Sequence, residues 1–166
     1  LAKSSAERLP SRLLLDLTPG LQRWQFNLGP ELRGLIHIDE RQLAGDLRYR
    51  SGSPVTPIWP GLAVQARFRE FDWGHWQQWL DGSALKPADT PLAQAPVGQM
   101  GDLVQRLNVQ ADRFQGFGLD LDNVQVSGAR TSNGWLLDIE QSSLRGQIGW
   151  PDAKDAPVVV ELQRLT

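Results

Sequence analysis

Few residues in this sequence have the type and spacing that catalysis or metal binding needs. The two histidines, His37 and His75, are far apart in the chain, and neither has a second ligand at helical spacing, which argues against a zinc site. Residues 116–118 (Gly-Phe-Gly) lack a following helix, so they do not form a dinucleotide-binding loop. Ser142 and Ser143 have no histidine or lysine at a meaningful spacing. We therefore expect no catalytic residue, no metal ion and no cofactor.

Two pairs of carboxylates are the remaining chemical candidates. Asp120 and Asp122 share one face of a predicted strand, and so do Asp138 and Glu140. Paired carboxylates can perform acid–base work. Pairs at this spacing are more often the solvated face of a strand, and that is the interpretation we adopt.

Composition excludes several classes of function. The 17 basic residues nearly balance the 19 acidic residues, so no basic surface for nucleic acid is expected. The absence of cysteine excludes a disulfide or a thiolate nucleophile. No apolar run approaches the roughly 20 residues of a membrane-spanning helix. The chain begins with leucine, so we expect a processed or excised piece whose targeting or anchoring segment lies outside it.

The elements that position these residues are predicted by an alternation of apolar and polar residues with period two. Such alternation is typical of antiparallel strands with one apolar face and one polar face. Pro-Gly, Ser-Gly and Asn-Gly turns separate the segments, as in a meander. The predicted apolar face comprises Leu13, Leu15, Trp24, Phe26, Ile36, Ile38, Leu43, Leu47, Tyr49, Val64, Phe68, Leu107, Val109, Val124, Val126, Trp135, Leu137, Ile139, Leu144, Ile148, Trp150, Val158, Val160 and Leu162.

One helix is predicted, near residues 72–81. Asp72 can cap its first turn, and Trp73, Trp76 and Leu80 form a one-sided apolar stripe that would pack at the end of a β unit. A second, weaker helical pattern covers about 99–106.

The chain divides into four predicted segments. Residues 1–10 are a polar lead-in, and residues 11–82 form a first β unit with its terminal helix. Residues 83–98 are rich in proline and alanine and read as a flexible linker. Residues 99–166 form a second β unit, cut short at its C-terminal end.

The two predicted units resemble each other in sequence. Residues 36–49 align without gaps on residues 137–150, and a mid-strand glycine, Gly45 or Gly146, matches in each. A repeated sheet-building unit favours a tandem array. Glycine inside a strand usually marks a kink, a bulge or a close approach.

One short helix cannot cover the apolar face of about ten strands. The sheet must close into a barrel, fold into a sandwich, or curl into a trough filled by a long apolar ligand, since exposed apolar surface costs about 25 cal/mol per Å². A trough open at its ends suits tandem repeats best, and acyl chains would fill it.

Residues 116–165 resemble the AsmA-like family of bacterial envelope proteins. The motifs are a Gly-x-x-Leu-x-x-Val strand, Gly134-Trp135 opening the next strand, residues 144–151 (Leu-x-Gly-x-Ile-x-Trp-Pro), and a closing Arg164-Leu165. In the first half, Phe71-Asp72 leads into the tryptophan-containing helix. Each motif is common, but their order is moderately specific.

The resemblance implies a fold and a function. It covers roughly residues 12–82 and 105–166, and it implies a β-groove that carries phospholipid through the periplasm, within a protein anchored in the inner membrane. The expected partners are acyl chains and neighbouring groove units of the full-length protein. Two alternatives are a carbohydrate-binding β-sandwich and a structural assembly module. Inward-facing Trp24, Trp135 and Trp150 would favour the conduit, whereas an exposed tryptophan patch would favour sugar binding.

Overall fold

The structure is a computed structural model that describes residues 10–40, 42–72, 74–75, 103–116, 118–153 and 155–165. Strands account for most of these residues, and their order in the sheet follows the chain. The prediction of a mainly β meander is therefore confirmed. The strands are β1 (Ser11–Thr18), β2 (Leu21–Leu28), β3 (Leu32–Asp39), β4 (Leu43–Tyr49), β5 (Gly61–Asp72), β6 (Val104–Gly116), β7 (Leu119–Thr131), β8 (Gly134–Glu140), β9 (Leu144–Pro151) and β10 (Val159–Leu165).

The chain forms two compact units, and the boundary between them along the chain falls within β5. The first unit extends to Leu62 and the second begins at Ala63. Strands β1 to β4 of the first unit pair antiparallel with their neighbours in sequence. In the second unit, β6 to β10 do the same.

Tight turns set the register of the hairpins. Gly20, in the Pro-Gly turn between β1 and β2, has a φ of 84°, a conformation that glycine adopts without steric cost. Gly134 opens β8 with a φ of 148°. A Cβ atom at Gly134 would overlap the Trp150 carbonyl oxygen of the neighbouring strand. Gly134 is thus required both by its own dihedral angle and by the approach of β9.

Register assigns each strand residue to one of two faces. Directly opposed residues of antiparallel strands point to the same side of a sheet. Leu15 is opposite Trp24, Trp24 is opposite Ile36, and Ile36 is opposite Gly45, so all four share a side. We call this side the apolar face and the opposite side the polar face, and we use both names within each unit separately.

Neither unit has an enclosed hydrophobic core among the described residues. The buried apolar side chains there are the small ones of Ala66, Ala111 and Val124. Large apolar side chains stay exposed, as Leu17 at 64% and Leu13 at 61% illustrate. The strands are therefore held by ladder hydrogen bonds and cross-strand contacts more than by a filled interior.

Two details of the sequence analysis need correction. The weak helical pattern at 99–106 is wrong from Val104 onward, because β6 begins there and its alternating residues pair with β7. Aligned residues of the two repeats lie on the same face of their sheet, but their cross-strand partners differ. Gly45 is opposite Ile36, whereas Gly146 is opposite Ile139 rather than Leu137. The second hairpin is shifted because its turn lies one residue later than the alignment places it.

The start of the predicted helix is present. Gly74 and His75 are helical, and the His75 backbone N–H donates to Asp72 Oδ1 over 3.1 Å, which is the predicted N-terminal cap. Trp73, Trp76 and Leu80 lie outside the described residues. So do residues 1–9 of the lead-in and the whole of the 83–98 segment, and both of those assignments stay predictions.

Candidate functional site

The apolar face of the first unit is built from rows of cross-strand partners. One row runs Leu15, Trp24, Ile36 and Gly45. The next row consists of Leu13, Phe26, Gly34 and Leu47. The sequence alternation thus brings side chains from four strands onto one continuous apolar surface.

The second unit repeats this construction over five strands. Leu107, Gly128, Leu137, Ile148 and Val160 are successive partners from β6 to β10. The parallel row contains Val109, Val126, Ile139, Gly146 and Leu162.

Trp135 and Trp150, directly opposite each other, end the same face of the second unit. With Trp24 in the first unit, all three of these tryptophans lie on the same face as the aliphatic residues; Trp24 and Trp135 are half-buried, and Trp150 is 45% exposed.

A few predicted lining residues are placed less directly. Val64 and Phe68 belong to β5, and the edge of the Phe68 ring meets Phe71 with centroids 5.1 Å apart. Val158 lies just before β10 and is 46% exposed. Leu144 is opposite Leu165 at the start of β9. Whether any of the predicted residues contacts a ligand stays a prediction.

Glycines on the apolar face make room for side chains of the next strand. A Cβ at Gly34 would overlap the Phe26 ring, and one at Gly128 would lie 2.5 Å from Leu137 Cδ2. A Cβ at Gly45 would lie 2.6 Å from Leu62 Cδ2. Large side chains therefore lie across the glycines, close to the sheet. This is the close approach that the mid-strand glycines predicted.

Charged residues end the apolar face of the second unit, and sequence reasoning missed them. Arg130 is opposite Trp135, and its Nη1 and Nη2 atoms donate to Asp152 over 2.6 and 2.8 Å. Its guanidinium carbon lies 5.9 Å from the centre of the Trp135 ring. We call Arg130, Trp135, Trp150 and Asp152 the Arg130 cluster.

The other end of β7 carries a second ion pair. Arg113 donates to both carboxylate oxygens of Asp120, over 2.9 and 2.5 Å. This bond lowers the pKa of Asp120 and raises that of Arg113. Asp122 is opposite Arg113, and Asn123 beside it has a φ of 54°, which interrupts the regular alternation of β7. Asp120 and Asp122 are both exposed, as expected of solvated carboxylates.

The first unit has a comparable group where β3 begins and β4 ends. Tyr49 Oη donates to Glu31 Oε2 over 3.1 Å, and the Arg50 guanidinium bonds the same carboxylate. The Arg50 guanidinium carbon lies 5.4 Å from the centre of the Tyr49 ring. This group also combines an aromatic ring, a guanidinium and a carboxylate.

A loop at residues 51–60 is tied to the polar face of the first unit by Asp46. Asp46 is only 3% exposed, accepts the Val55 backbone N–H over 2.6 Å, and pairs with Arg48 Nε over 2.9 Å. Arg33 Nη1 donates to Ser53 Oγ over 3.2 Å. A buried carboxylate thus fixes the position of this loop.

Two open cavities lie on the polar faces. One of about 400 Å³ is lined by residues that include Asp16, Arg23 and His37. Burial and the nearby Arg23 guanidinium lower the pKa of His37. The other, of about 360 Å³, is lined by residues that include Asp138 and Glu140. Asp138 accepts a hydrogen bond from Gln147 Nε2 over 2.9 Å.

The polar faces hold no further chemical constellation in the described part of the chain. No group of three potential metal ligands occurs among those residues. Ser143 donates its N–H and its hydroxyl to Gln141 Oε1 in a turn, which is a structural role. None of the described helical segments is long and apolar enough to cross a membrane.

The fold and the face define a class of protein, an antiparallel meander whose large apolar surface is left without a covering layer among the described residues. The chain belongs to the YhdP protein family, which matches it over residues 1–166. This match confirms the predicted resemblance to a YhdP-like member of the AsmA-like group. This is a family of bacterial envelope proteins associated with lipid transport. Searches of curated proteins and of solved structures give no match.

Proposed function

We propose that the chain is a segment of a periplasmic bridge that carries phospholipid between the inner and outer membranes, with acyl chains held on the apolar face. The full-length protein would be anchored in the inner membrane by a segment outside this chain. Neighbouring β units would continue the path, and membrane contacts would be made by other parts of the protein. The segment would act by binding and guiding lipid and would catalyse no reaction.

The observation that carries this proposal is the exposure of the apolar face. Leu13, Leu17, Val160 and Leu162, on the terminal strands β1 and β10, are all more than half exposed. The large apolar residues that continue their rows on the inner strands, such as Phe26, Leu47, Ile139 and Ile148, are half-buried, so the face is not enclosed there either. Contiguous exposed apolar surface on a protein usually marks a binding surface. Because the rows continue across strands, the surface suits a long and flexible apolar ligand such as an acyl chain.

Tryptophan placement argues against the carbohydrate-binding alternative. A sugar platform needs tryptophans gathered among polar residues on an exposed patch. Trp24, Trp135 and Trp150 lie in line with leucines, isoleucines and valines, and of the three only Trp150, at 45%, is exposed. A sandwich also needs two packed sheets, whereas β1 to β4 of the first unit and β6 to β10 of the second unit each pair in sequence order. The assembly-module alternative stays compatible with the fold, because the terminal strands β1 and β10 could pair with adjacent units.

Native mass spectrometry of the purified chain tests the proposal. We expect copurified phospholipid that is released by detergent, and chain mass alone after delipidation. A chain that carries no lipid after purification, and takes up none from vesicles of phosphatidylethanolamine, would refute the conduit and leave the assembly module.

A further inference from the structure

The ends of the apolar face carry opposite charges in pairs. In the Arg130 cluster, the Arg130 side chain is 18% exposed and the Asp152 side chain is 48% exposed. The pair therefore lies between the apolar rows and solvent, with its carboxylate on the solvent side. An amphiphile whose chains cover the apolar rows has to place its headgroup at such an end.

The first unit has the same combination at the corresponding strand ends. Arg50 and Glu31 are 40% and 39% exposed there, beside the Tyr49 ring. This group lies where β3 begins and β4 ends, and the Arg130 cluster lies where β8 begins and β9 ends. Each unit thus ends its apolar face with a guanidinium paired to a carboxylate beside an aromatic side chain.

We propose that the Arg130 cluster binds the headgroup of a zwitterionic phospholipid, with Arg130 bonding the phosphate and Asp152 bonding the ammonium group. This inference rests on the proposed function, because the acyl chains must first occupy the apolar face. The group of Glu31, Tyr49 and Arg50 would do the same in the first unit.

The chemistry of the pair supports a zwitterion over an anion. A guanidinium has five N–H donors and bonds phosphate oxygens well, and a carboxylate has about four acceptor sites and bonds ammonium groups well. In a phosphoethanolamine headgroup, the phosphate can bond the guanidinium and the ammonium group can bond the carboxylate. An anionic headgroup without an ammonium meets the same guanidinium but is repelled by Asp152. The net charge of the whole chain, −2, adds no attraction for anions.

Competition between two lipids with the same acyl chains tests the inference. The delipidated chain is incubated with vesicles of equimolar phosphatidylethanolamine and phosphatidylglycerol, and bound lipid is quantified by mass spectrometry. We expect phosphatidylethanolamine to be enriched about threefold, because ion pairs at a protein surface are worth up to about a fivefold change in affinity. Asp152→Asn leaves Arg130 without its carboxylate and should move the ratio towards phosphatidylglycerol.

A matched control separates this effect from a general loss of negative charge. Asp138→Asn removes a carboxylate of the same unit from the polar face, and the lipid ratio should not change. A wild-type ratio equal to that of the vesicles would overturn the inference, and so would a ratio that Asp152→Asn and Asp138→Asn change equally. In both cases total bound lipid stays normal and the conduit stands. Absence of bound lipid from the wild type would overturn the conduit as well.

If Asp152→Asn does not fold, the inference is tested by comparing the ratio of bound phosphatidylethanolamine to phosphatidylglycerol in the wild type and in a Glu31→Gln variant of the first unit. Glu31 is 39% exposed and lies at the end of a strand, where a substitution has little packing to disturb. Enrichment of phosphatidylethanolamine that Glu31→Gln reduces would support the inference. Enrichment that depends on neither carboxylate would overturn it.

Discussion

Ile139→Arg tests whether the apolar face is the lipid path. Ile139 lies in the middle of the second unit, opposite Val126 on one side and Gly146 on the other. The substitution places a positive charge in the centre of the apolar rows. Leu144, at the start of β9, is the alternative position for the same experiment.

The expected cost to folding is small if the face is open. The aliphatic part of an arginine side chain can keep its contacts with the sheet while the guanidinium reaches water. We expect the free energy of unfolding to fall by about 1–2 kcal/mol, which is within the common range for single substitutions. In an enclosed core, an unpaired charge would cost about 3–5 kcal/mol and would unfold a domain of marginal stability.

The expected cost to lipid binding is larger. Each acyl CH₂ group that is removed from water contributes about 0.8 kcal/mol, so a chain of about sixteen carbons gains on the order of 10 kcal/mol. If the guanidinium displaces about three CH₂ groups, affinity falls by about 2.4 kcal/mol, or about fiftyfold.

The assay combines thermal melting with native mass spectrometry of bound phospholipid. Ser127→Arg is the matched control, because Ser127 is half-buried on the polar face of the neighbouring strand, opposite Asp138. We expect both variants to fold and only Ile139→Arg to lose lipid. A folded Ile139→Arg with undiminished lipid would refute the assignment of the path. Unfolding of Ile139→Arg would instead indicate an enclosed core.

Two further substitutions and one titration test what stabilises the fold. Gly134→Ala should lower the free energy of unfolding by about 3 kcal/mol or more in denaturant titrations, because its Cβ would overlap the Trp150 carbonyl oxygen. Asp46→Ala should cost about 3 kcal/mol and expose the Val55 amide to hydrogen exchange, since it leaves Arg48 unpaired in a mostly buried site. His37 should titrate below 6.5 in an NMR titration, because burial lowers its pKa. As the pH falls, His37 becomes protonated in the unfolded chain before it does so in the folded chain, because its pKa is lower in the folded state. The contribution of His37 to stability is therefore complete above pH 6.5 and is lost as the pH falls through the folded-state pKa.

Controls for these substitutions come from the same chain. A Cβ at Gly149 would meet Val159 Cβ at an ordinary 3.8 Å, so Gly149→Ala should change stability by less than about 0.5 kcal/mol. Asp112 pairs with Arg67 in the open, so Asp112→Ala should cost less than about 1 kcal/mol. Equal losses for Gly134→Ala and Gly149→Ala, or for Asp46→Ala and Asp112→Ala, would contradict the packing argument. A pKa of His37 above 6.5 would contradict the argument that burial lowers this pKa.

The two faces could be predicted from the sequence because side-chain alternation is local. Whether Trp24 shares a side with Ile36 depends only on the period of the strands and on antiparallel pairing. Register is not local, because it depends on the exact residue at which each turn closes. The alignment of Gly45 with Gly146 therefore gave the correct face and the wrong cross-strand partner.

The charged ends of the apolar face were missed for a related reason. Arg130 and Asp152 are 22 residues apart, and only the combined registers of β7, β8 and β9 bring them together. A signal was present in the sequence, because Arg130 continues the alternating series of Val124, Val126 and Gly128. The burial of Asp46 had no such signal, since it depends on the path of a loop across the polar face.

The exposure of the apolar face links the stability of this protein to its proposed cargo. Among the described residues, only small apolar side chains are buried, so much of the usual hydrophobic contribution to folding is missing. Buried Asp46, the side chains that lie across glycines and the ladder hydrogen bonds supply part of what remains. A ligand that binds only the folded state adds to stability as its concentration rises above its dissociation constant. Acyl chains on the apolar face would therefore be the transported lipid and would also cover the apolar side chains that the protein itself leaves unburied. If an acyl chain left without being replaced by another, the folded protein would lose stability. This cost favours a path that is continuously filled with lipid over the transport of isolated lipid molecules.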